Sequence, residues 1–215
     1  MIYLFGDSHT AAFVINNNNQ YMTPEETLIK TNIFNSFRTW PYTCYNIHDK
    51  KQIIFDFLND LHITPNDIIF FSYGETDIRC HIGFHSKSEY DQDILIDQIV
   101  NNYIYFLMDI RNSYKFKIGC YAPIASGIHN GSNGNDGIPS YLNCIERNKI
   151  TIKFNNRLKK LCNKNDIIYK DMFHYLINEN METNNDLYCD GIHLGYQIQP
   201  LLLKEFDDII KTYAN

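Results

Sequence analysis

Apolar residues fall along this chain in two rhythms. Short, near-continuous apolar runs occupy residues 2–5, 67–73, 116–121 and 166–169. Runs of that length without polar alternation suit strands buried on both faces of a parallel sheet. Between them, apolar positions recur at helical spacing. Ile53, Ile54, Phe57, Leu58 and Leu61 predict a helix over 50–61. The same reasoning predicts helices over 93–112, 141–163 and 196–213, and a helix start over 10–14. Residues 16–20 form a polar break, 65–67 a turn and 186–195 a loop. The stretch 126–137, rich in Gly, Asn and Ser, reads as a mobile loop. Residues 21–31 are ambiguous, although Thr23-Pro24-Glu25-Glu26 has the form of a helix start. Residues 34–47 are aromatic-rich and interrupted by Pro41, which suggests a loop ending in a short strand at 42–45. Strands alternating with helices from end to end predict an α/β fold, a parallel sheet with helices on both faces. No repeat or linker breaks the pattern, so one domain over 1–215 is expected.

Composition narrows the function classes. The chain of 215 residues is 44% hydrophobic and 20% charged, as in soluble globular domains. A net charge of −6 disfavours a general nucleic-acid binder. No apolar run is long enough to span a bilayer, and the start lacks the basic and small-residue flanks of a signal peptide. The six cysteines are scattered with no C-x-x-C pair, so reduced thiols in a cytoplasmic setting are expected.

The candidate chemistry sits in three polar loops: 6–9, 74–85 and 188–195. In a parallel sheet, loops that follow strands converge on one edge. Ser8 lies between the first strand and a helix start, where it is a nucleophile or merely a helix cap. Asp190 precedes His193 by three residues, a spacing that lets the carboxylate reach the imidazole. A serine, a base and an orienting acid are the parts of an activated nucleophile. There is no G-x-S-x-G elbow. His81 and His85, with Asp77 nearby, have spacing that suits a metal, but Gly83 between them and the lack of a clear helix argue against it, and no metal or cofactor is expected. Asp171 and His174 form a second acid–x–x–His pair, ranked behind the first.

Gly6-Asp7-Ser8 near one end and Asp190-x-x-His193 near the other resemble the SGNH, or GDSL-type, hydrolases over nearly the whole chain. The resemblance implies a flavodoxin-like, three-layer α/β/α fold. It also implies a serine esterase with Ser8 as nucleophile, His193 as general base and acid, and Asp190 as the orienting group. The implied substrate is a carbohydrate or other small ester. The middle of the chain departs from the family pattern. No glycine lies between Asp7 and Gly74, so the loop at Trp40-Pro41 is the candidate for the second oxyanion donor. The family's Gly-x-Asn-Asp block reads Gly74-Glu75-Thr76-Asp77 here, with Thr76 in place of the asparagine. Arg79, with His81 second, is the candidate to supply the missing positive potential. The alternative for Arg79 is a structural ion pair with Glu75 or Asp77. The string Gly-Glu-x-Asp-x-Arg-x-His also resembles a subgroup of such proteins found near polysaccharide genes. Two other functions stay open: a non-catalytic ligand-binding domain and an acyltransferase.

Overall fold

In the computed structural model, residues 1–13, 28–30, 34–39, 42–128 and 139–213 are described. Strands β1 (Ile2–Gly6), β2 (Leu28–Lys30), β3 (Phe34–Arg38), β4 (Ile68–Ser72), β5 (Lys117–Tyr121) and β6 (Ile168–Lys170) form one sheet in the order β2-β3-β1-β4-β5-β6. Five strands run parallel, and β2 pairs antiparallel with β3 at the edge.

The strand interiors follow from side-chain alternation. Ile2, Leu4, Ile68 and Phe70 face one side of the sheet, and Phe5, Ile69 and Phe71 face the other. On the Phe5 side they meet the helices Lys51–Asp60, Glu89–Ser113 and Cys144–Lys164 through Ile54, Leu58, Ile99, Phe106 and Phe154. On the Ile2 side they meet Phe13, Phe173, Leu202 and Phe206. The Phe206 ring anchors that layer, 5.0 Å from Phe70 and 5.1 Å from Phe13. Apolar cover on both faces explains why these strands read as continuous apolar runs. The long helices also start where their sequences provide caps. Ser88 accepts the amide hydrogen of Asp91, and Asn143 and Glu146 form a reciprocal capping box.

Four local expectations need correction. Residues 34–38 form the parallel strand β3, where a loop was expected. Its polar positions hid it: Asn35 and Ser36 are buried, and Ser36 Oγ donates to the Thr10 carbonyl at 3.1 Å. No strand forms at 42–45, because Cys44–Lys50 is a 3₁₀ helix capped by Thr43. Residues 77–85 are helical, a π-helical segment Asp77–Ile82 followed by the turn Gly83–His85. The closing helix is broken into Gln199–Glu205 and Asp207–Tyr213, because Phe206 leaves helical geometry to bury its ring. The expectations for residues 16–20, the helix start at 23–26 and most of the loop at 126–137 lie outside the described residues.

Strand register sets up the functional edge. Gly6 is level with Arg38 on β3 and with Ser72 on β4, so these three strands end together. A side chain at position 6 would run into the Ser72 carbonyl, which makes glycine a requirement of this close approach.

Candidate active site

Ser8 follows β1 directly and begins the 3₁₀ helix Ser8–Phe13. The turn before it is held by Asp7, whose Oδ1 accepts the His9 amide hydrogen at 3.0 Å and whose carbonyl accepts from Thr10 Oγ1 at 2.9 Å. Asp7 is buried, and burial pushes its carboxyl up while His9 pulls the other way.

Asp190 and His193 come from a tight hairpin. Tyr188 and Leu194 pair across it, and the Cys189 amide donates to the His193 carbonyl at 2.9 Å. Gly191 at the tip has φ of +79°, a backbone conformation that favours glycine. Inside the turn, Asp190 Oδ1 accepts the amide hydrogens of Ile192 and His193 at 2.9 and 2.7 Å. Asp190 Oδ2 lies 2.7 Å from His193 Nδ1. His193 Nε2 lies 2.8 Å from Ser8 Oγ, across 185 residues of sequence. Partial burial pushes the Asp190 carboxyl up, but the His193 ring and the two amides outweigh it and hold it well below the usual carboxylate range. With Nδ1–H donated to that carboxylate, Nε2 is left to accept the Ser8 proton. The arrangement is able to deprotonate a serine at a sheet edge.

The segment after β4 uses its polar groups internally. Gly74 has φ of +114°, and a Cβ there would sit 2.8 Å from Pro123 Cγ. The fully buried Asp77 accepts the amide hydrogens of Cys44 and Tyr45 at 2.6 and 3.1 Å, which holds the start of the Cys44–Lys50 helix. Burial pushes its carboxyl up to about 7 against the pull of those amides. Arg79 Nε lies 2.8 Å from Glu75 Oε1, with both side chains buried. Burial pushes the Glu75 carboxyl up, but Arg79 and His9 outweigh it and bring it down to about 2. Arg79 therefore takes the ion-paired arrangement weighed in the sequence. Thr76 is buried at the start of the π-helical segment. His81 stacks between Tyr45, 6.1 Å away, and His85, 6.0 Å away. Among the described residues no cluster of three or more His, Cys, Asp or Glu is set to hold a metal. Asp171 accepts from Tyr169 Oη and the Phe173 amide, while His174 lies against Tyr175, so this second pair does not join. Trp40 lies outside the described residues.

One residue of the site had no signal in the sequence. His9 is buried beside Ser8, with its ring 5.3 Å from the His193 ring and its Nε2 3.6 Å from Glu75 Oε2. Only the pairing of β1 with β4 brings residues 9 and 75 together.

By sequence, the chain matches no family model and no curated protein. Solved structures do match it. A proposed acylhydrolase from Bacteroides fragilis aligns with TM-score 0.64 and 15% identity, over 100% of this chain and 88% of that one. A GDSL-like lipase from Bacteroides thetaiotaomicron aligns with TM-score 0.59 and 14% identity, over 99% and 88%. The chain has the SGNH-hydrolase fold. An acetylxylan esterase from Geobacillus stearothermophilus, solved as a catalytic mutant, aligns with TM-score 0.57 and 11% identity, over 97% and 93%. Within that fold, the site described above lies where β1 ends.

Proposed function

We propose that the protein is a serine esterase that works through an acyl-enzyme on Ser8. The observation that carries this reading is the unbroken chain from Ser8 Oγ to His193 Nε2 at 2.8 Å and from His193 Nδ1 to Asp190 Oδ2 at 2.7 Å. His193 takes the serine proton as Oγ attacks the ester carbonyl. The resulting imidazolium is balanced by Asp190, which its partners keep ionised. His193 then gives the proton to the departing alkoxide, and water regenerates Ser8 by the same steps in reverse. The fold neighbours described as an acylhydrolase, a GDSL-like lipase and an acetylxylan esterase support ester chemistry, and the last supports an acylated carbohydrate as substrate.

A binding domain is the second reading. It is favoured by Thr76 standing where the resemblance calls for an asparagine, and by the engagement of Arg79 with Glu75. Hydrolysis of p-nitrophenyl acetate separates the two. Wild-type protein is expected to turn the ester over, and Ser8→Ala to lower kcat/KM by about 10³-fold or more with the fold intact. Equal rates for the two proteins would support the binding domain.

A further inference from the structure

Beside the serine lies a buried chain of charged groups that the steps above do not use. Arg79 pairs with Glu75 at 2.8 Å, and Glu75 faces His9 at 3.6 Å on its other oxygen. Their side chains are 5%, 9% and 4% exposed, so this is an interior network and not a surface pair. The His9 ring is tilted by 38° against the His193 ring, with centroids 5.3 Å apart. His9 Nδ1 is buried and has no hydrogen-bond partner among the described residues. An orphaned buried polar atom is costly, so its presence beside the serine calls for a reason beyond packing. Here Glu75 holds one nitrogen, and the ring plane rests near the catalytic imidazole.

We propose that His9, ion-paired through Glu75 to Arg79, is a positioning residue that sets the protonation of His193. The inference rests on the esterase reading for its purpose, but not for its test. The groups that face His9 are Asp7 on its own turn, Glu75 and Arg79 from the segment after β4, and His193 from the C-terminal hairpin. The Tyr73 phenol, near the same gap, is bound to Thr39. Burial pushes His9 down, Asp7 and Glu75 outweigh it, Arg79 opposes them, and the net displacement is upward. A charged His9 at this range disfavours a second positive charge on His193.

Titration of the His193 ring by NMR tests this without any substrate. His9→Gln removes the charge and keeps a polar side chain. The His193 resonances of this variant are expected to titrate at higher pH than those of wild type, by about half a unit or more. The double variant Glu75→Gln/Arg79→Met removes both charges of the pair together, which a buried site tolerates better than loss of one. It is expected to move the titration in the same direction but by less, because His9 loses Glu75 while Asp7 remains beside it, and it serves if His9→Gln fails to fold. In ester hydrolysis, the acid limb of kcat/KM moves upward in parallel. Unchanged His193 titration in the folded variants would overturn the proposal, whatever the turnover. A shifted titration in a protein without Ser8-dependent turnover would uphold it and count against the esterase reading alone.

Discussion

Asp190 and Asp77 each accept two backbone amide hydrogens, from residues 192 and 193 and from residues 44 and 45. One keeps a third of its side chain in solvent, and the other is fully buried. Asp190 has a second oxygen free to meet an imidazole, so it stays ionised and faces the His193 ring. Asp77 spends both oxygens on the Cys44–Lys50 helix, and burial lifts its carboxyl to about 7. Under the proposed function, two similar carboxylate turns serve chemistry in one region and architecture in the other. Access and a leftover acceptor distinguish them, and residue type does not.

Substitution at the catalytic edge gives the largest contrast. His193→Ala is expected to lower kcat by about 10³-fold or more, and Asp190→Asn by a large but smaller factor, because an amide facing Nδ1 favours the wrong ring tautomer. Both proteins should keep wild-type melting temperatures. Steady-state kinetics with paired thermal unfolding checks this, and an Asp190 variant slower than the His193 variant would break the assigned roles.

At the buried carboxylate the effect moves from rate to stability. Asp77→Asn leaves one amide hydrogen without an acceptor and should cost about 1–3 kcal/mol in urea unfolding, with little change in kcat of the folded protein. The pH dependence has a definite sign. The folded-state value of about 7 lies above the ordinary carboxylate value. The contribution of Asp77 is therefore full at pH below the unfolded value and is lost as pH rises through about 7. The stability advantage of wild type over Asp77→Asn should shrink between mildly acidic and mildly alkaline buffer. An advantage that grows with pH would contradict the assignment.

These two regions were also unequally legible in the sequence. Continuous apolar runs announced β1, β4 and β5, since strands covered on both faces need little else. Asp190 and His193 were legible because their contact spans one turn, and Ser8 because it abuts a strand. β3 was hidden by Asn35 and Ser36, polar residues that tertiary contacts satisfy. The ion pair of Arg79 was open as one alternative, four residues from Glu75 on a helical turn. The third member, His9, lies 66 residues away from Glu75 and meets it only through the β1–β4 register. Local geometry can be read from spacing, whereas a buried network has to wait for the sheet.

The central claim is that Ser8 is an activated nucleophile, and covalent labelling tests it most directly. Wild-type protein treated with a serine-reactive phosphonate should gain one adduct, located by mass spectrometry on Ser8 in the peptide that contains His9. Ser8→Ala and His193→Ala should remain unlabelled under the same conditions. An unlabelled wild type, or an adduct that persists in both variants, would contradict the account.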